Sequence, residues 1–465
     1  MSSAPRVSFL TLGCRLNQHD TAAMRARLAD AGWTQVDAPE GADVVVVNTC
    51  TVTARADQEA RQLVRSLARR APSARIVVTG CYAQRAPGEV AAIPGVSLVL
   101  GTAERERIEL YVGAGSAAWK GAAAGALRRA SRDAREGRSA FPGHASYLDE
   151  QLDAIPLHVG PGRAKRAFVA SSPVAFGRTR ALLKVQDGCD AFCSYCVVPY
   201  VRGRARSLPL DEAVAQGARL LEAGFHEIVV TGADLGSYGS DLGKPGLLAP
   251  LVERLLALGS AHRVRISSIE PEKVPAGLVE MIGSEERLCP HLHLPLQSGS
   301  DAILAAMRRR YRVRDYARLL ERVTARGTVA IGADVIVGYP GEGDAEFEET
   351  GRFIDGAPLS YLHVFRYSAR PGTSAAPLPA PMTARERAAE LRALGLAKER
   401  AFYESLVGTT RSVLLEGRSD AASVRGRADV YAPVLVRSTP RWVGLARVVL
   451  REAGQDGCVG ELATR

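Results

Sequence analysis

The chain has 465 residues, 60 Lys and Arg against 50 Asp and Glu, a formal net charge of +10 and eight cysteines. With 46% hydrophobic and 24% charged residues it reads as a globular protein of several domains, and its longest apolar runs, such as Val44 to Val47 and Ile228 to Val230, exclude a membrane-spanning helix. Cysteines this sparse exclude a disulfide scaffold; residues Met1 to Arg6 lack a signal-peptide pattern, so a cytoplasmic protein is expected, and the basic balance suits either a polyanionic partner such as nucleic acid or a basic surface without one.

The first segment, residues 5–112, alternates strand and helix. Val7 to Leu12, Val44 to Val47, Ile76 to Val78 and Val96 to Leu100 read as strands. Thr21 to Ala31 and Asp57 to Ala68 read as helices, with apolar residues four apart. This alternation predicts a doubly wound parallel sheet. Cys14 lies two residues past the first strand, and Cys50 and Cys81 three past the second and third. The carboxyl ends of parallel strands share one rim, where ligands bind. Three thiols far apart in sequence are therefore delivered to one place, with Gly13 and Gly80 permitting close backbone approach. The plain alternative is three unrelated buried cysteines. Equivalent placement in consecutive βα units favours a tricysteine cluster over it.

Residues 113–178 change composition abruptly. Gly113 to Ala126 is almost all Gly, Ala and Ser around Trp119, and Pro142, Pro156, Pro161 and Pro173 punctuate the rest. No helical or strand period is sustained, so a flexible basic linker is expected. Residues 114–180 hold eleven Lys or Arg and five Asp or Glu, a charge that suits a solvated linker or an arm contacting nucleic acid.

Residues 179–404 alternate again. Ala181 to Val185, Glu227 to Val230, Val264 to Ser268, His291 to Leu296, Ala330 to Val337 and Leu362 to Tyr367 read as strands. Helical stretches between them include Leu210 to Ala223 and Arg314 to Arg326. Six βα repeats predict a partial (β/α)6 barrel, with its site at the carboxyl ends of the strands. Directly after the first strand, Cys189, Cys193 and Cys196 are spaced CxxxCxxC. Thiolates are soft ligands that suit an iron–sulfur cluster. Three of them leave one iron of a four-iron cluster open to a ligand. A zinc site would want a fourth Cys or His nearby, and a redox-active CxxC pair leaves the third cysteine unexplained. The other strand ends, carrying Gly232, Glu270, Gln297 and Gly338 among glycines and hydroxyls, predict a pocket on the same rim. His291 and His293 alternate on one strand and read as barrel-interior polar groups rather than a metal pair. Cys289 reads as an ordinary buried thiol. Thr383 with Glu386 reads as a capping box opening a helix to Leu406.

In residues 405–465 helical periodicity stops. Short runs such as Val413 to Leu415, Val434 to Val436 and Trp442 to Leu445 predict a small β-barrel. Nine arginines against six acids, interleaved with Tyr431 and Trp442, suit RNA backbone contact and stacking. A simple β cap is the alternative.

Cys189, Cys193 and Cys196, following Lys184-Val185-Gln186-Asp187-Gly188, resemble the radical S-adenosylmethionine (SAM) signature. Val197-Val198-Pro199-Tyr200-Val201-Arg202-Gly203 is similar to the methylthiotransferase branch. The resemblance implies two 4Fe–4S clusters. One on Cys189, Cys193 and Cys196 binds and cleaves SAM to a 5′-deoxyadenosyl radical. One on Cys14, Cys50 and Cys81 delivers sulfur. It also implies SAM contacts at Gly232, Glu270, Gln297 and Gly338, and a C-terminal barrel like the RNA-binding TRAM domain. Its expected partners are tRNA and an electron donor such as flavodoxin or ferredoxin. Thr11 to Gln18, Asn48 to Thr53, Val78 to Gln84 and Ser267 to Pro271 resemble most the branch that methylthiolates C2 of threonylcarbamoyladenosine beside the tRNA anticodon. A second SAM would supply the methyl group. Arg366 departs from the pattern, where proline is expected. Alternatives are methylthiolation of isopentenyladenosine in tRNA or of a ribosomal-protein aspartate, and, in another class, a non-catalytic RNA-binding iron–sulfur protein.

Overall fold

The computed structural model describes residues 4–113, 155–160, 168, 179–418, 423–437 and 444–463. Most of the expected 113–178 linker, and Trp442, lie outside the described residues. The chain divides into two compact units. The first comprises Met1–Val174, Asp187–Arg206 and Ser368–Pro377; the second comprises Ala175–Gln186, Ser207–Tyr367 and Leu378–Arg465.

The first unit is built on a six-stranded sheet. Its order is Thr34–Gln35, Arg6–Thr11, Val44–Thr49, Arg75–Gly80, Val96–Leu100 and Leu157–His158. Every pairing is parallel. The central strand is apolar on both faces because both are covered. Val45 and Val47 pack with Val64, Leu67, Ile76 and Val78 on one side. Val44 and Val46 pack with Met24, Leu28, Phe9 and Leu98 on the other. The covering helices are Arg15–Asp30 and Ala54–Arg70. The latter starts at Thr53, whose side chain accepts from the Ala56 amide at 3.2 Å. Leu157–His158, inside the stretch expected to lack strands, adds an edge strand beside Val99 and Leu100.

The second unit carries two three-stranded parallel sheets. One runs Arg263–Ile266, Glu227–Thr231, Arg180–Lys184; the other runs His291–His293, Ala330–Val337, Tyr361–Arg366. Bridges Val264 to Leu288 and Ser268 to His293 join them. Six parallel strands thus follow chain order, as a partial barrel of the expected (β/α)6 kind. Its helices include Leu210–Glu222, Val313–Thr324 and Asp344–Gly356. The Ala384–Leu406 helix does run to Leu406, but Thr383 makes no side-chain cap bond. Its backbone, at φ −76° and ψ 1°, is not in the extended conformation that a capping hydroxyl needs. The last strands close a five-stranded barrel around Val413, Leu415, Val434, Val436, Val448 and Leu450. Among the described residues no helix is long and apolar enough to cross a membrane.

Buried arginines seat this barrel. Arg263 and Arg265 share the Glu227 carboxylate, at 2.6 and 2.9 Å. Their remaining N–H groups donate to the carbonyls of Ser412, Arg427, Ala428 and Asp429.

Candidate active site

Each cysteine of the first set sits where a parallel strand gives way to a turn or helix. Cys14 precedes the Arg15–Asp30 helix, Cys50 follows the Val44–Thr49 strand, and Cys81 opens the short Cys81–Arg85 helix. Cys14 is exposed; Cys50 and Cys81 are buried. Two glycines bring the rim together. A Cβ on Gly13, which has φ +95°, would stand 2.6 Å from Cys50 Cβ and 2.9 Å from its Sγ. A Cβ on Gly80, at φ +98°, would stand 2.6 Å from the Thr49 nitrogen. Asn17 holds the turns beneath: its Nδ2 donates to the carbonyls of Leu12 at 2.8 Å and Thr49 at 3.1 Å. The structure therefore places Cys14, Cys50 and Cys81 each at the carboxyl end of a parallel strand on the same sheet rim.

This donor set fits a cluster. Burial, then the neighbouring Cys81, pushes the Cys50 thiol up to about 12. Burial also raises Cys81, against Arg202 and Arg105. A bound metal takes such thiols as thiolates. None of the eight cysteines is in a disulfide.

Cys189, Cys193 and Cys196 lie in the same compact unit. Their loop is tightly turned. The Cys189 amide donates to the Gly203 carbonyl at 3.1 Å, and the Cys196 amide to Cys193 at 3.0 Å. Phe192 takes a positive φ of 50°. The Ala191 amide donates to Cys189 Sγ at 3.4 Å. After the loop, the Val198–Val201 helix presents Val197 and Val201 to Cys81, and the Thr102 hydroxyl donates to the Val201 carbonyl at 2.9 Å.

In the second unit the other expected residues end the parallel strands. Gly232 abuts the Gln186 side chain, with a built Cβ 2.9 Å away. Glu270 is half-buried and paired with Arg309; burial pushes its carboxyl up despite that partner. Gln297 is buried with φ +63°. Its amide donates to the Asp334 carbonyl at 2.8 Å and its carbonyl accepts from Ile336 at 2.9 Å. Gly338 donates its amide to the Glu342 carboxylate and packs against Ala384. Arg366 ends its strand with an exposed side chain. Cys289 is buried, and burial pushes its thiol up to about 11.

Some contacts escaped sequence reasoning. His293 Nε2 and His363 Nδ1 meet one Asp334 oxygen at 2.9 and 3.2 Å. His291 Nε2 instead meets Tyr361 Oη at 2.8 Å. His293, Asp334 and His363 present donor atoms within 4.8 Å of one another. In the first unit, Arg202 is almost wholly buried and bonds Asn17, Asp20 and Asp187. Only its position in the Val-Arg-Gly stretch after the cysteines marked it.

The first unit thus carries three cysteines on a sheet rim and a CxxxCxxC loop, and the second a six-stranded parallel partial barrel; comparison with known proteins gives their class, that of the radical SAM enzymes. The Radical SAM superfamily matches residues 183–354, and the uncharacterized protein family UPF0004 matches residues 6–101. The chain is 35% identical to the threonylcarbamoyladenosine tRNA methylthiotransferase MtaB of Bacillus subtilis, covering 96% of this chain and 94% of that protein. It is 33% identical to MtaB of Rickettsia prowazekii, over 90% and 89%. It is also 33% identical to the tRNA-2-methylthio-N(6)-dimethylallyladenosine synthase of Alkalilimnicola ehrlichii, over 98% and 97%. In fold it is similar to the radical SAM methyltransferase TsrM of Kitasatospora setae, with a TM-score of 0.53, 13% identity, and coverage of 88% of this chain and 81% of that one. The chain belongs to the radical SAM tRNA methylthiotransferase family, whose cofactors are SAM and 4Fe–4S clusters.

Proposed function

We propose that this protein transfers a methylthio group to C2 of N6-threonylcarbamoyladenosine beside the anticodon of tRNA. The observation that supports this reading is the position of Cys14, Cys50 and Cys81 at the ends of neighbouring parallel strands, in the unit that also holds Cys189, Cys193 and Cys196. Cys189, Cys193 and Cys196 would hold the cluster that binds SAM, and Cys14, Cys50 and Cys81 the second cluster. When bound, these groups and SAM supply a 5′-deoxyadenosyl radical, sulfur and a methyl group. Gly232, Glu270, Gln297 and Gly338 are assigned to the SAM pocket at the strand ends. Residues 5–112, joined by the Leu157–His158 edge strand, form the sulfur-donating domain, the rest of 113–178 a linker, 179–404 the SAM domain and 405–465 a TRAM-like barrel whose arginines hold the tRNA. A flavodoxin or ferredoxin supplies the electron.

The identity to the MtaB proteins supports the threonylcarbamoyl substrate. The similar identity to the Alkalilimnicola ehrlichii synthase favours isopentenyladenosine as the second reading. Nucleoside mass spectrometry of tRNA from a deletion strain separates them. Loss of the methylthio-threonylcarbamoyl nucleoside supports the first. Loss of the methylthio-isopentenyl nucleoside alone supports the second, and an unchanged tRNA profile refutes both. Replacing Cys14, Cys50 and Cys81 by Ala is expected to abolish methylthiolation while reductive release of 5′-deoxyadenosine continues.

A further inference from the structure

One buried side chain fastens the cysteine loop to the sheet rim. Arg202 lies six residues past Cys196 and is 3% exposed. On one side its Nη2 donates to Asn17 Oδ1 at 2.7 Å and to Asp20 Oδ2 at 3.1 Å. Asn17 in turn holds the carbonyls of Leu12 and Thr49, which precede Cys14 and Cys50. On the other side Nη1 donates to Asp187 Oδ1 at 3.0 Å, two residues before Cys189. Arg206 closes this end, donating to Asp187 at 3.1 Å and to the Arg202 carbonyl at 2.8 Å. One planar fork thus spans the supports of both cysteine sets, a task a point-charge ammonium performs poorly.

A second cation stands with it. Arg105 is buried and pairs with Asp20 at 2.6 Å. Its Nη1 is buried with no hydrogen-bond partner among the described residues, an expensive state unless something else accepts from it. Both arginines act electrostatically on Cys81, and Arg202 also on Cys50. A cluster gains one negative charge on reduction. Fixed cations and N–H donors beside it stabilise the reduced state.

We propose that Arg202, seconded by Arg105, is a positioning residue that locks the CxxxCxxC loop to the sheet rim and raises the reduction potential of the cluster that Cys14, Cys50 and Cys81 would hold. This rests on the cluster assignment made above. The test uses the full chain with Cys189, Cys193 and Cys196 replaced by Ala, so that one cluster remains to be read. Iron content and an EPR-monitored redox titration are measured for this parent and for added Arg202→Gln, Arg202→Lys and Asp20→Asn.

In Arg202→Gln the reduced-to-oxidised ratio at the parent's midpoint falls about tenfold, a shift of about 59 mV for one electron. Arg202→Lys recovers much of that loss, and Asp20→Asn, which removes the anion between the two arginines, shifts the midpoint upward. A midpoint unmoved in Arg202→Gln with iron retained overturns the proposal. Where Arg202→Gln loads no iron, Asp20→Asn decides: no upward shift overturns it. A parent that binds no iron refutes the cluster assignment itself, and this proposal with it.

Discussion

Replacing Gly80 by Ala is expected to disable the sheet-rim cluster while sparing the other. Gly80 ends the Arg75–Gly80 strand and stands immediately before Cys81. Its φ of 98° and ψ of −163° lie in a region occupied almost only by glycine, and an L-residue held there costs about 1–3 kcal/mol. The added methyl has nowhere to go. It would meet the Thr49 carbonyl oxygen, Asn48 Oδ1 at 2.5 Å and the Thr49 nitrogen at 2.6 Å. These atoms belong to the central strand, whose backbone pairs on both sides, so the accommodation costs a further ~1–3 kcal/mol. Against this, Ala restricts the unfolded chain and returns about 0.4–1 kcal/mol. The net expectation is about 1–5.5 kcal/mol of destabilisation, read as a lower urea midpoint at unchanged slope. Relief of the clash moves Cys81 away from Cys50. Iron after anaerobic reconstitution should therefore fall from about eight to about four per chain, with 5′-deoxyadenosine release retained. Gly351→Ala is the control: nothing lies within 4 Å of its built Cβ, and in the Asp344–Gly356 helix Ala should be neutral or up to about 1 kcal/mol stabilising. Gly80→Ala with full iron and an unshifted urea midpoint would refute the reasoning.

Two further perturbations probe buried charge. Glu227 lies wholly buried between Arg263 and Arg265; burial pushes its carboxyl up, but Arg265 and then Arg263 outweigh burial and hold it well below the usual range. A depressed folded-state pKa gives stability that is present above the unfolded value, about 4.3, and lost as pH falls from there through the folded value. Glu227→Gln should therefore cost about 3–5 kcal/mol at pH 7 and show a flatter loss of Tm below about pH 4 than the unmodified chain. Equal acid slopes for the two proteins would rule this out. In the first unit, Asp57 takes Thr51, Arg85 and Arg370 on one buried carboxylate. Asp57→Ala strands two buried guanidinium groups and should cost about 3–5 kcal/mol. It should also speed proteolysis of the Ser368–Pro377 segment that Arg370 anchors; cleavage there at the unmodified rate would deny Arg370 that role.

What was legible in the sequence was whatever repeats. Parallel strands covered on both faces announce themselves as apolar runs, and Val44 to Val47 marks the centre of the first sheet. Cysteines just past such runs could be placed on a rim before any coordinates existed. The illegible parts have physical reasons too. The first helix was expected from Thr21 but begins at Arg15, because beside Leu16 its first turns bury the polar Asn17 and Asp20, which leaves no apolar period there. The edge strand Leu157–His158 has two residues, too few to carry a period. Asp334 and His363 meet because their strands pair in that register, and register between parallel strands leaves no mark on either alone. Arg202 finds Asn17 across 185 positions, and a buried arginine runs against every compositional expectation. The misses at Asn17, Asp20 and Arg202 share a cause. Where a helix turn or strand position serves the rim, its polar side chain replaces the apolar residue that would have revealed the element. The gaps in the hydrophobic pattern at Asn17, Asp20 and Arg202 are therefore themselves signals: they are the positions at which folding and the two cysteine sets make the same demand on one residue.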